Sequence, residues 1–174
     1  MSSEKYLLDA DAFIRSKREH YAFDIVPGYW EAILKAHELR RVASIIPVRK
    51  ELRRGNDDLA QWVKDNTPEA FFKKIEDQAV QHEFRAINAW VMANTQYEIA
   101  AKQRFVGGAD PWLVAYAKAN HYIVAMYEVH KPDSKASIKL PDIASEFGVL
   151  CIPPFEMLRR IQAKLKLVSG SIRR

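Results

Sequence analysis

The chain alternates short apolar runs with longer stretches of helical period, and that alternation sets the expected fold. Tyr6-Leu7-Leu8 is an apolar run that breaks off at Asp9, with Asp11 two residues on and Ala12-Phe13-Ile14 apolar again. Its length and composition fit a strand buried on both faces, with Asp9 where the strand reaches the sheet edge. After Pro27, the positions Trp30, Ile33, Leu34 and His37 recur at helical spacing. Val42 to Ile46 reads as a second strand, and Pro47 opens a helix bearing Val48, Glu51 and Leu52 that stops at Gly55. Asp57 or Asp58 caps a short helix with Leu59, Trp62 and Val63, which ends before Thr67-Pro68. Phe71-Phe72 fits either an edge strand or a helix start.

From Asp77 onward Val80, Phe84, Ile87 and Val91 predict one long helix, and Gln96 to Arg104 predicts another. Gly107-Gly108-Ala109 interrupts the chain. Asp110-Pro111 restarts it, with Asp expected at the N-cap and Pro at the first helical position. The small residues Ala115 and Ala117 on that helix suit close packing on a sheet. Tyr122 to Met126 predicts a strand with Glu128 just past its end, followed by a polar loop from Val129 to Lys139. Pro141-Asp142 opens a short helix closed by Gly148, Val149 to Ile152 is a last strand, and Phe155 to Leu167 is a final amphipathic helix. Strands separated by helices predict an α/β fold, three-layer α/β/α, around a central parallel sheet of four or five strands with right-handed crossovers. The whole of 1–174 is expected as a single domain, a length sufficient for a substantial core.

Composition narrows the class. No apolar run approaches the roughly 18 residues that cross a bilayer, and Met1-Ser2-Ser3-Glu4 has no signal-peptide pattern, so a cytoplasmic protein without a membrane partner is expected. The single cysteine, Cys151, sits in an apolar run and is assigned no chemistry. With 27 basic and 22 acidic residues the net charge is +5, which permits a polyanionic partner without requiring one. Basic residues cluster at Lys17-Arg18, Arg40-Arg41, Arg49-Lys50 with Arg53-Arg54, Arg159-Arg160 and Arg173-Arg174.

The candidate chemistry is acidic. Asp9 and Glu128 follow strands, whereas Glu51 and Asp110 stand near the starts of helices. Crossover topology gathers strand C-termini and helix N-termini on one sheet edge, so the four acids are expected to converge although they are far apart in sequence. Two carboxylates ~4 Å apart repel by roughly 4 kcal/mol at an effective dielectric of about 20, so such a cluster calls for a cation. All-oxygen ligands favour Mg²⁺ or Mn²⁺ over zinc, and His20, His37, His82, His121 and His130 show no zinc-ligand spacing. Taken singly, each acid also has a structural reading: Asp9 as a turn former, Glu51 as a helix-dipole partner, Asp110 as an N-cap, Glu128 as a loop charge.

Four segments carry a family resemblance. Tyr6-Leu7-Leu8-Asp9-Ala10-Asp11-Ala12-Phe13-Ile14 gives an apolar pair, Asp, a small residue, a polar residue and apolar residues. Val48-Arg49-Lys50-Glu51-Leu52, Ala109-Asp110-Pro111-Trp112-Leu113-Val114-Ala115-Tyr116-Ala117 and Ile123-Val124-Ala125-Met126-Tyr127-Glu128 follow, the third being the most specific. Over nearly the whole chain these resemble the motifs of PIN domains (PilT N-terminus-like ribonucleases), which include the VapC toxins. Ile138-Lys139-Leu140-Pro141-Asp142-Ile143 resembles a segment of one uncharacterised PIN-like branch. Two departures stand out: Asp11 where the family often has Asn or Ser, and Met126 where Thr or Ser often precedes the fourth acid.

The resemblance implies a ribonuclease dependent on Mg²⁺ or Mn²⁺, the toxin of a toxin–antitoxin pair and a homodimer. Asp9, Glu51 and Asp110 would be ligands, with Glu128 a ligand directly or through water, and Asp11 or Glu128 would orient the attacking water. Arg49, Lys50 and Arg53, with Lys139 behind them, are expected to hold flanking RNA phosphates. Two other classes compete. Asp9-Ala10-Asp11 after an apolar strand also fits a haloacid-dehalogenase-type phosphatase with Asp9 as nucleophile, but Glu128 is followed by Val129-His130 rather than by that class's second carboxylate. A non-catalytic RNA- or protein-binding scaffold with the same fold is the other.

Overall fold

Five short strands pair in parallel in the order β3-β2-β1-β4-β5, with β1 at Tyr6–Leu8, β2 at Val42–Ile45, β3 at Phe72–Lys73, β4 at Ile123–Ala125 and β5 at Cys151–Ile152. This arrangement comes from a computed structural model, which describes residues 4–166. Helices fill the connections: α1 at Ala10–Arg15, α2 at Pro27–Glu38, α3 at Ile46–Arg54, α4 at Asp58–Asn66 and α5 at Gln78–Ala93. They continue with α6 at Ile99–Val106, α7 at Asp110–Asn120, α8 at Leu140–Glu146 and α9 at Pro154–Arg160. The result is the three-layer α/β/α architecture. Among the described residues no helix is long and apolar enough to cross a membrane.

The centre of the sheet is dry. Tyr6, Leu7 and Leu8 are at most 1% exposed and all four residues of β2 are buried, as expected for a parallel sheet covered on both faces. α7 buries Leu113, Val114, Ala115 and Ala117, and packs along α5, where Phe84 stacks on Trp112 with ring centroids 3.4 Å apart. Each fully buried side chain of the size of Leu113 or Ile143 contributes about 1.5–3 kcal/mol.

The chain runs outward from β1 through β2 to β3 and then crosses to the other side of β1 for β4 and β5. The reversal puts a topological switch point between β1 and β4, where open α/β sheets bind ligands. Asp9 and Glu128 leave the sheet from those two strands.

Several expected boundaries move. Asp57 and Asp77 cap α4 and α5 through their side chains, while Phe71-Phe72 divides between a 3₁₀ turn at Glu69–Phe71 and the edge strand β3. α6 begins at Ile99 rather than Gln96, because the Gln96 side-chain amide donates to the carbonyls of Pro132 and Ser134 and ties the polar loop down. The first helix, α1 with a π-helical continuation at Ser16–His20, was not expected from the pattern. α9 ends at Arg160 rather than running to Leu167. Gln162 is left-handed (φ 59°) and the Ala163 N–H reaches back to the Leu158 carbonyl, which closes the helix. The same closure stops α2 at Arg40, the helix before β4 at His121 and α8 at Gly148. Leu167 and the Arg173-Arg174 pair lie outside the described residues.

Candidate functional site

Asp9 is both cap and site residue. Its backbone N–H donates to the Ala125 carbonyl at 3.1 Å, which binds the end of β1 to β4, and its carboxylate accepts the Ala10 N–H at 2.6 Å as the N-cap of α1. Beneath it, the buried Ser44 hydroxyl donates to the Leu8 carbonyl at 2.6 Å and fixes β2 against β1 at the level where the acids begin. Asp9 is 6% exposed. Asp11, in the first turn of α1, faces the Arg15 guanidinium at 4.0 Å, and Arg15 lies over the Tyr127 ring at 4.9 Å.

The helix N-termini bring in the next two acids. Glu51 projects from α3 toward the start of α7, where it accepts the Ala109 N–H at 3.2 Å and so takes up a backbone donor at the positive end of that helix. The expected role of Asp110 as N-cap is corrected: Ala109 is the N-cap, Asp110 is the first residue of α7 and Pro111 follows it. No side-chain cap bond forms there, so the Asp110 carboxylate is free of that duty. Glu128 lies past β4 and accepts both the Lys139 ammonium at 3.0 Å and the Leu140 N–H at 2.9 Å.

Four of these carboxylates act on one another electrostatically, and Glu51 acts on Asp110. Asp9 is held well above the ordinary carboxylate range, first by burial and then by the charge of Asp110, against the lowering bond from Ala10; Asp11 and Glu128 add to the rise. Asp110 is pushed up to about 7 by burial, then by Glu128 and Glu51, with Lys139 opposing. Asp11 is raised by burial, Arg15 pulls it back, and Glu128 raises it again. Asp9, Asp11, Asp110 and Glu128 thus feel one another's charge, and Glu51 joins them through Asp110.

Among the described residues no three His, Cys, Asp or Glu side chains stand ready-made in ligating arrangement. Glu128 is turned to Lys139 and Leu140, and Glu51 to Ala109. The donor set nonetheless fits Mg²⁺ or Mn²⁺, since it is wholly carboxylate oxygen and two of its members are pushed toward protonation by burial and one another's charge. Cys151 is half-buried beside it, its thiol pushed up to about 12 by burial and then by Asp9, so it is inert at neutral pH.

The basic residues divide differently from expectation. Arg49 and Arg53 are each two positions from Glu51, about 200° around the helix, so they face away from the acids. Arg49 lies over the Phe72 ring at 5.6 Å, while Lys50 and Arg53 are exposed on the helix surface. Apart from Arg15 beside Asp11, the cation among the acids is Lys139, ranked last in the sequence. Its pairing with Glu128 across the polar loop has no signal in the linear chain. Arg15 was missed, although the Asp11, Arg15, Glu19 spacing of four is visible in the sequence and forms ion pairs in the fold.

A family model described as a domain of unknown function (DUF4411) matches residues 6–165. The chain belongs to that family. The matched span of this DUF4411 chain takes in every strand and all five acids. No curated protein and no solved structure matches it.

Proposed function

We propose that this DUF4411 chain is a PIN-like, metal-dependent ribonuclease that hydrolyses RNA phosphodiester bonds. The observation that carries the reading is the convergence of Asp9, Asp11, Glu51, Asp110 and Glu128 from separate segments at the switch point between β1 and β4, with Asp110 pushed up to about 7. Burial and mutual repulsion of this kind favour neutralisation by a divalent cation. Asp9 and Asp110 would hold Mg²⁺ or Mn²⁺ with Glu51, and Glu128 would join them directly or through water. When bound, the ion would supply Lewis acidity at the phosphoryl oxygen and acidify a water at neutral pH.

The chain's own residues would do the rest. Asp11, whose carboxylate makes no hydrogen bond to backbone among the described residues, would orient the water for attack on phosphorus. Glu128 turning from Lys139 toward the cation would free the ammonium to face the phosphate. Lys139 would then balance charge as the bond to the leaving oxygen breaks. The PIN-like resemblance extends the proposal to a homodimer and, where a cognate antitoxin exists, to the toxin of a toxin–antitoxin pair, with a solitary nuclease as the alternative.

Purified protein incubated with a labelled single-stranded RNA is expected to cleave it with Mg²⁺ or Mn²⁺ and to stop when EDTA is added. Cleavage that persists in EDTA would contradict the metal-dependent reading, and metal-independent binding without any cleavage would favour the scaffold.

A further inference from the structure

The outer edge of the sheet presents a different chemistry from the acid cluster. β3 is two residues long and pairs with β2 only at Ser44 and Ile45, which leaves Val42 and Ala43 without a strand neighbour on that side. Two cavities open along this edge. One, of about 480 Å³, lies where the chain leaves β2 and β3, between Arg49 and Lys74. The other, of about 660 Å³, reaches the opposite end of the strands at Lys5 and Arg40. Ala70 and Lys73 line both, so the two form one groove along the sheet edge.

The groove is strongly basic. Lys5, Arg40, Arg49, Lys73 and Lys74 line it against two carboxylates, Glu38 and Glu69, and Glu38 is already paired with Lys35 at 2.7 Å. Among the described residues none of the five cations forms an ion pair, whereas Lys17, Lys118, Lys139, Arg159 and Arg160 all do. Unneutralised charges of one sign in a cleft repel one another and focus the field outward, which favours a polyanion.

The groove is also in register with the acids. Lys73 pairs with Ile45, and continuing the β1–β2 register beyond Leu7 and Ala43 brings Asp9 level with Ile45. Lys73 therefore stands two strand spacings from Asp9, roughly 10 Å. α3 is the wall between the two regions, presenting Glu51 to the start of α7 and Arg49 over Phe72 in β3. A basic groove with an aromatic side chain, Tyr122, in its lining is the arrangement by which single strands are held.

We infer that this groove holds the backbone of single-stranded RNA flanking the segment that lies over the acids. The identity of the polyanion rests on the ribonuclease reading, so binding is measured apart from hydrolysis. The test is fluorescence anisotropy of a short labelled single-stranded RNA with the full chain in EDTA, across a salt series. Five phosphate contacts predict a slope of log affinity against log salt of about −3.5, and Lys73→Gln with Lys74→Gln should bring it to about −2. The same double variant should bind at least tenfold more weakly at low salt.

Lys5→Gln with Arg40→Gly probes the other cavity and should weaken binding comparably; glycine suits position 40, where φ is 58°. Lys118→Gln with Arg159→Gln, outside the groove, should leave binding unchanged. Unaltered melting temperatures separate lost contacts from lost fold. Wild-type affinity and slope in both groove variants would overturn the inference, as would polyglutamate of matched charge binding as tightly as RNA. RNA binding of the expected slope without cleavage in Mg²⁺ would remove the ribonuclease reading and keep the groove. Cleavage with both groove variants binding as wild type would do the reverse.

Discussion

Asp110→Asn is expected to lower metal-dependent RNA cleavage by about a thousandfold or more while raising the melting temperature of the metal-free protein at pH 8. The two effects share a cause. Asp110 is the first residue of α7 and makes no cap bond, so Asn loses no hydrogen bond at the helix start. It does lose a negative charge near a helix N-terminus, worth about 0.3–1 kcal/mol. Against that stands the release of a carboxylate pushed up to about 7 by burial and by Glu128 and Glu51. A rise of this size corresponds to at most about 4 kcal/mol, and even 1 kcal/mol moves the melting temperature of a chain this long by about 2–4 °C. The loss of activity follows from losing a charged ligand: a thousandfold in rate is about 4 kcal/mol of barrier. Cleavage assays beside thermal melts decide it. Near-wild-type cleavage by Asp110→Asn would contradict the role assigned to that carboxylate.

The stability of the metal-free protein is expected to fall as pH rises from about 4 to beyond 7. Asp9, Asp11 and Asp110 are all held above their ordinary value, so in this window the native state binds more protons than the unfolded chain. Their contribution is fully present below the unfolded carboxylate value near 4 and is lost as pH climbs through the native value, about 7 for Asp110. Asp58 and Glu19, lowered by Lys17 and Arg15, have the opposite sign but act only in more acidic solution. Melting curves in EDTA between pH 5 and 8.5 should descend, and Asp110→Asn should flatten them. A melting temperature that climbs across that range would mean that the acids are not crowded in solution.

Much of this site was legible because its acids follow strands whose apolar runs are unmistakable. Tyr6-Leu7-Leu8 and Ile123-Val124-Ala125 declare the two strands flanking the switch point, and Asp9 and Glu128 follow from them. Glu51 is placed by Pro47 and Gly55 at the two ends of α3. What stayed hidden depends on contacts between distant segments. Ser16–His20 has no apolar stripe, and its π-helical path is held by Ser16 bonding to Tyr29 and Tyr127 and by His20 packing on the Tyr127 ring. The stops at Arg40, His121 and Gln162 use the left-handed cap without the glycine that normally announces it. The basic groove was hidden for the same reason: Lys5, Arg40 and Lys73 meet only because β3 pairs with β2.

The claim that the five acids form a divalent-cation site is tested most directly by thermal unfolding of wild type and Asp9→Asn, each with and without Mn²⁺. Asn retains the N-cap role at position 9, so the comparison isolates the charge. Mn²⁺ at a hundred times its dissociation constant should stabilise wild type by about 2.7 kcal/mol, a rise of roughly 5–10 °C, and the shift in Asp9→Asn should be less than half as large. An equal Mn²⁺-induced shift in the two proteins would contradict the site.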